Sequence, residues 1–416
     1  MPSVTNVVFV LIVPFLVLRK HRHQLIRYTD DALAILNLPI FPKSGEFFVI
    51  LLDFNILVCY NGGDKFKYKD GIIMEIGYLP LEHLHKIVDE TVPSMRWDGK
   101  QDIKEWQKAA REKLKELIGW GEIEKCDVPL TYEIEYDRVC EDMGCREIRF
   151  RFTTEENVTV PCHPVIPNGA DKPLPVIITL QGHSTGMHIS LGRPKFNGDE
   201  STIKGGDRDF VVRAVKEGVC AIALEQRCFG ECGGTEKGPD CRQAAMRAIL
   251  VGRTIVGERV WDIMKLIDLL QTEFTDIIDK NKIMCMGNSG GGTATTYVSA
   301  IDERIKVSVP SCAVARYADS IAAMLHCECN YVPNIAHYFD MGDLCAMVAP
   351  RPLVVVTGTE DKIFPVNSAK ECVAEGKKVY DALGAGENIV HVIGAAGHRF
   401  YADDAWPHIN AAIEKL

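Results

Sequence analysis

Six short stretches in the second half of the chain are predominantly apolar with no alternation: VIITL (176–180), CAIAL (220–224), KIMCM (282–286), IKVSV (305–309), LVVVT (353–357) and IVHVI (389–393). Strands that are apolar on both faces are expected where helices cover both sides of a parallel sheet. The segments between them, DFVVRAVKEG, VWDIMKLIDLLQTEF, GGTATTYVSAID and SAKECVAEGKKVYDAL, are long enough to be crossover helices. Upstream the grammar differs. TYEIEYDRV, REIRFRF and NVTVPCHPVI alternate or are β-branched, which predicts antiparallel strands. Before these, DIKEWQKAAREKLKELI (102–118) places Ile103, Trp106, Ala110, Leu114 and Leu117 mostly three or four apart, an amphipathic helix closed by Gly119. The pattern predicts an α/β fold: a doubly wound, mostly parallel sheet with N-terminal antiparallel strands and a helical lead-in.

Residues 126–416 form the expected main domain and 74–125 the lead-in, while 1–73 read as a leader of uncertain place in the fold, with Met74 as an alternative start. The run VVFVLIVPFLVL (7–18) is apolar but holds only 12 residues, including Pro14. A membrane-spanning helix needs about 20, and a signal peptide carries its positive charges before the apolar run, whereas Arg19, Lys20 and Arg22 follow it. The second apolar run, Phe47–Tyr60, contains Asp53 and Asn55. Neither run predicts a membrane span.

With 47 basic and 57 acidic residues the 416-residue chain has a formal net charge of −10 and no long basic block, which argues against nucleic acid as a partner. The 15 cysteines are odd in number, and Cys220, Cys285 and Cys312 sit in or beside apolar runs, as small buried hydrophobes do. That usage suits a reducing cytoplasm better than a disulfide framework, although Cys140/Cys145 and Cys228/Cys232 are close enough in sequence for local bridges.

The chemistry centres on NKIMCMGNSGGG (281–292). Gly287-Asn288-Ser289-Gly290-Gly291 matches G-x-S-x-G between an expected strand and an expected helix, the setting of a nucleophile elbow. No Lys follows the glycines, which excludes a phosphate-binding P-loop, and no G-x-G-x-x-G follows the first parallel strand. A serine nucleophile needs a base and an orienting acid. In this fold they follow in the order Ser, acid, His. Asp361 in GTEDKIFP and His398 in GAAGHRFY each fall just past a parallel strand, on the same sheet edge as Ser289. Glu360 is the rival acid. His391 lies within a strand and His408 in the last helix. The oxyanion hole is expected from the N–H groups of Gly290 and His183, the latter in the Gln181-Gly182-His183-Ser184 loop. Ser184 and Arg227 are the candidate substrate contacts, although a scaffold pairing with Glu225 is the stronger reading of Arg227. Two irregular segments, 188–208 and 313–349, are long enough to build a binding site. The run His326-Cys327-Glu328-Cys329 looks metal-like but is too crowded to supply one tetrahedral site, so it is expected to wall an acyl pocket. No metal or cofactor is expected.

Together LQGHSTG, LEQRCFGE, ERVWDIMKLIDLL, MGNSGGG, VPSC, HCECNYVPNI, DLCAMVAPRPLVVVTGTEDKIFP and GAAGHRF resemble the α/β-hydrolase superfamily, and more narrowly its acetyl xylan esterase and dienelactone hydrolase-like branch. The resemblance spans about residues 120–416 and omits 1–73. Cys228 stands where that branch commonly has glycine, and Ser289 where dienelactone hydrolases have a cysteine nucleophile. The resemblance implies a serine carboxylic-ester hydrolase working through an acyl-enzyme on small acyl esters, such as acetyl groups on xylan-type carbohydrates. A serine peptidase of the same superfamily and a non-catalytic hydrolase-fold binding protein are the alternatives. The acyl length, the alcohol portion and the oligomeric state are not readable from the residues.

Overall fold

In the computed structural model residues 80–141, 144–169 and 172–416 are described in full, and before residue 80 the backbone of six short strands is described. Contacts divide the chain into Met1–Lys86 and Ile87–Leu416. In the first unit β1 (Arg19–His21) and β2 (Gln24–Ile26) pair antiparallel. β3 (Phe47–Leu52), β4 (Ile56–Asn61), β5 (Asp64–Lys69) and β6 (Ile72–Glu75) form an antiparallel meander. The run 47–60 therefore falls largely on β3 and β4, and Met74 lies inside β6, opposite Lys67. The run 7–18 lies outside the described residues. No described helix is long and apolar enough to cross a membrane.

The second unit is built on one nine-stranded sheet. Its strands are β7 (Tyr132–Cys140), β8 (Cys145–Glu155), β9 (Val158–Pro167), β10 (Leu174–Leu180), β11 (Cys220–Leu224), β12 (Ile278–Asn288), β13 (Ile305–Ser311), β14 (Leu353–Gly358) and β15 (Ile389–Gly394). They lie in the order β15-β14-β13-β12-β10-β11-β9-β8-β7. The six strands from β15 to β11 run parallel, and β9, β8 and β7 add antiparallel. All six apolar runs of the sequence fall on the parallel strands.

The two-sided burial has a direct cause in those runs. Val176, Ile178 and Leu180 face one core with Ile222, Ile283 and Cys285, beneath the helices Ile255–Glu273 and Gly290–Ile301. Ile177, Ala221, Met284, Met286, Val307 and Val354 face the other, beneath Phe210–Lys216 and Ala402–Glu414. Successive strand side chains point to opposite faces, so a strand covered on both sides must be apolar at every position. The lead-in helix Ile103–Leu117 forms as its spacing predicts. Asp102 caps it by accepting from the Glu105 N–H at 3.0 Å. Trp106, Ala110 and Leu114 turn inward, and Gln107 donates to the carbonyls of Ala346, Met347 and Ala349.

β10 is the topological switch point: β11 lies on one side of it and β12 on the other. In open α/β sheets the crevice at such a point, outside the carboxyl ends of the strands, is where ligands bind. The loop after β10 and the turn after β12 meet there.

Candidate active site

The turn after β12 is strained at one residue. Ser289 adopts φ 55° and ψ −123°, outside the regions comfortable for a residue with a side chain. Its N–H donates to the Ser311 carbonyl at 2.8 Å, and its own carbonyl accepts from the Thr293 N–H at 2.8 Å. The turn is held from both ends, as a strained backbone must be. The flanking glycines are set by close approach. A Cβ on Gly287 would lie 2.5 Å from the Gly291 carbonyl, and one on Gly291 would lie 2.1 Å from the Leu180 carbonyl. Gly290 opens the helix Gly290–Ile301, so its N–H has no intrahelical acceptor and lies at the positive end of the helix dipole.

The loop after β10 packs directly on this turn. A Cβ on Gly182 would sit 2.7 Å from the Asn288 carbonyl and 2.9 Å from the Ser289 Cβ. The His183 ring lies over Gly290, where an added Cβ would come within 2.8 Å of its Cε1. Ser184 is buried, and its hydroxyl has no partner among the described residues.

Asp361 follows β14 and His398 follows β15. His398 Nδ1 lies 2.8 Å from Asp361 Oδ2. Asp361 Oδ1 accepts from the N–H groups of Ile363 at 2.8 Å and Phe364 at 3.0 Å. Burial opposes the charge of this carboxylate. The hydrogen bond from His398, its charge and the two backbone donors outweigh that and hold the Asp361 pKa below the usual range. The carboxylate is fully buried. The Phe364 ring stacks on His398 with centroids 6.1 Å apart. The end of β13 joins the two halves: Ser311 holds the Ser289 N–H, while Cys312 Sγ donates to the Arg399 carbonyl at 3.2 Å. The structure thus brings Ser289, Asp361, His398, Gly290, His183 and Ser184 to one sheet edge.

The rivals lie elsewhere. Glu360 is exposed. His391 is inside β15, 2.8 Å from the Thr357 hydroxyl, and burial pushes its pKa down to about 4. His408 is exposed on the last helix. Trp261 is core, as expected, and donates to the Thr154 carbonyl. Arg227 is a correction to its expected place among the substrate contacts. Its guanidinium is taken up by Asp262 at 2.7 and 2.8 Å, Glu258 at 3.1 Å and Glu155 at 2.5 Å. Three carboxylates occupy its donors, so it braces β8 against the helix Ile255–Glu273.

Cys228 keeps a left-handed backbone, φ 72°, at the position where the resembling branch has glycine. The turn is retained, with the Cys228 N–H donating to the Cys232 carbonyl at 2.8 Å. The fourteen described cysteines are all free thiols.

Two features escaped the sequence reading. Arg208, at the end of the irregular segment 188–208, is buried beside Gly182, and its Nε has no partner. No carboxylate among the described residues pairs with it, and burial pushes its pKa down to about 10. The only signal was the length of the loop that carries it. The second is the company of Cys327 and Cys329: His183 and Cys241, distant in sequence, join them, while His326 instead meets Phe364 edge-on at 5.6 Å and so borders the histidine of the site. A separate cavity of about 330 Å³, lined by Tyr136, His163, Thr185, Arg193 and Glu225 among others, does not include Ser289, Asp361 or His398.

A model of the Abhydrolase family matches residues 82–380. A protein of Bacillus subtilis (strain 168) named "Putative hydrolase YtaP" is 25% identical over 245 residues, covering 57% of this chain and 77% of that one. The 4-O-methyl-glucuronoyl methylesterase 1 of Wolfiporia cocos (strain MD-104) is 27% identical over 169 residues, 35% of this chain and 41% of that one. Among solved structures, that of "a putative acetyl xylan esterase" from Bacteroides fragilis NCTC 9343 is similar with a TM-score of 0.64 at 17% identity, covering 77% of this chain and 83% of that one. The parallel sheet, the strained turn at its switch point and a family match over most of the length agree: the chain belongs to the Abhydrolase family.

Proposed function

We propose that this protein is a serine carboxylic-ester hydrolase acting through an acyl-enzyme. The observation that carries the reading is the union of a serine at φ 55° on a strand-to-helix turn with a half-buried His398 held by the buried Asp361 on the same sheet edge. Ser289 attacks the ester carbonyl while His398 takes its proton through Nε2 and returns it to the leaving alcohol. Asp361 holds the imidazole in the needed tautomer and balances its charge. The N–H groups of Gly290 and His183 face the developing oxyanion, and the adjacent positive charge of Arg208 favours it. Water then reverses the sequence and releases the acid.

The esterase class is supported by a relative named for ester hydrolysis, a glucuronoyl methylesterase, and by the fold shared with "a putative acetyl xylan esterase". We take esters of plant cell-wall carbohydrates, acetyl esters of xylan first, as the substrate class. A panel of p-nitrophenyl esters of rising acyl length, acetylated xylan, a glucuronate methyl ester and a peptide anilide tests this. Turnover of short acyl esters with little on the anilide is expected. Preference for the anilide overturns the esterase reading in favour of a peptidase. No turnover of any member overturns it in favour of a binding role.

A further inference from the structure

We propose that His183, Cys241, Cys327 and Cys329 form a structural site for one thiophilic divalent cation, zinc by its chemistry, which anchors the loop after β10 beside Ser289. The four ligand atoms all lie within 4.8 Å of one another. His183 Nε2 is 3.3 Å from Cys329 Sγ, and Cys329 Sγ is 3.4 Å from Cys327 Sγ. Zinc bonds of about 2.3 Å to sulfur and 2.1 Å to nitrogen place tetrahedral ligand atoms roughly 3.6–3.8 Å apart. Both separations fall a few tenths of an ångström short of that range, and no pair of ligand atoms exceeds 4.8 Å. Three thiolates and one imidazole are a ligand set that selects a soft or borderline cation over magnesium or calcium. With four protein ligands the tetrahedron is closed, so the ion's role is structural.

An independent observation comes from Arg259. It is 2% exposed, and no carboxylate among the described residues pairs with it. Its guanidinium donates instead to Cys329 Sγ at 3.4 Å, to Cys241 Sγ at 3.6 Å and to the Arg227 carbonyl. A nearby negative charge offsets the cost of burying a guanidinium. Three neutral thiols supply none. Three thiolates around a divalent cation carry a net charge of −1, which one arginine balances. Cys241 stands at the N-cap position of the helix Arg242–Leu250, with no capping hydrogen bond from its side chain. Binding releases the three thiol protons to solvent, with no change in oxidation state.

The ligands tie together three segments: the loop after β10, the segment before Arg242–Leu250, and the long segment after β13. The imidazole held by the cation is the one packed on Gly290. The cation therefore fixes the His183 backbone against the elbow. The metal site stands without the esterase reading; its effect on turnover rests on that reading.

The test uses the full chain, purified without chelator, with metal measured by mass spectrometry. About one zinc per chain is expected. Release of that zinc by a mercurial thiol reagent, followed with a chromogenic chelator, reports ligation by sulfur in the wild type. Cobalt-substituted protein is expected to show tetrahedral d–d bands and thiolate charge transfer. Cys241→Ser and Cys327→Ser lose the bands, whereas Cys372→Ser, outside the cluster, keeps them. Removing the metal lowers kcat for the best ester roughly tenfold or more with little change in KM. Absence of stoichiometric metal together with no tetrahedral cobalt spectrum overturns the proposal, as does a disulfide among these cysteines. Ester turnover by metal-free protein at the full rate overturns the anchoring role alone. A bound, thiol-released metal without any ester turnover upholds the site and overturns the esterase reading.

Discussion

Asp361 and His398 meet at 2.8 Å, and the second carboxylate oxygen of Asp361 is occupied by the N–H groups of Ile363 and Phe364. Neither oxygen is free to rotate away, so the imidazole is held with one nitrogen committed. Asp361→Asn removes the charge and presents the wrong tautomer to His398. A fall of about 10⁴-fold in kcat at pH 7 with KM little changed is expected from steady-state kinetics. A loss below about tenfold would assign the acid's role elsewhere.

The approach of Gly182 to the elbow gives a second prediction. Gly182→Ala puts a Cβ 2.7 Å from the Asn288 carbonyl and 2.9 Å from the Ser289 Cβ. Backbone must shift, at a cost of about 1–3 kcal/mol in thermal unfolding. Ester turnover should fall more than stability does, because the displaced loop carries the His183 N–H. Unchanged turnover in Gly182→Ala contradicts the placement of the oxyanion donors.

Arg227 and Arg208 are predicted to behave in opposite ways. Arg227→Met leaves Asp262 buried without a cation, while Glu155 and Glu258 keep Arg253. A loss of about 3–5 kcal/mol is expected in denaturant unfolding, with the folded fraction retaining its KM. Arg208→Gln removes a buried cation that has no carboxylate partner, so kcat/KM should fall with little loss of stability. A raised KM in Arg227→Met, or full activity in Arg208→Gln, reverses these roles.

Glu225 supplies a pH dependence. Burial raises its pKa to about 7, against the backbone N–H groups of Met187 and Glu231 that favour its charged form. The folded chain therefore keeps a proton that the unfolded chain releases near pH 4.3. Between those values the native state binds more protons, so stability falls as pH rises, by about 3 kcal/mol once pH exceeds 7. Glu225→Gln should flatten that slope between pH 5 and 7 in denaturant titrations. An unchanged slope excludes Glu225 as its source.

Much of this was legible because the relevant signals are local. VIITL and its five counterparts are apolar at most positions on both faces, since each strand is covered on both sides, and that pattern points to the parallel sheet. The Ser289 turn announces itself because strand, glycines and helix are contiguous. Asp361 and His398 follow from chain order and strand ends. The metal-binding group was not legible because its atoms come from positions as far apart as His183 and Cys329, and the two nearer residues of the HCEC run, His326 and Glu328, are not among its ligands. Arg208 was hidden because nothing local distinguishes a buried, unpaired arginine from a solvated one. The scaffold reading of Arg227 stood beside its place among the substrate contacts, but its partners were not legible because its three carboxylates sit on β8 and on a helix some thirty residues later rather than at Glu225.

The central claim is that Ser289 forms the acyl-enzyme. Wild type and Ser289→Ala, matched for zinc content and fold, are incubated with p-nitrophenyl acetate and with a fluorophosphonate, and the intact mass and labelled peptide are read. The account predicts a single adduct on Ser289 in the wild type, none in Ser289→Ala, and turnover in the variant reduced by roughly 10⁴-fold or more. Undiminished turnover in Ser289→Ala, or an adduct on another residue, would contradict it.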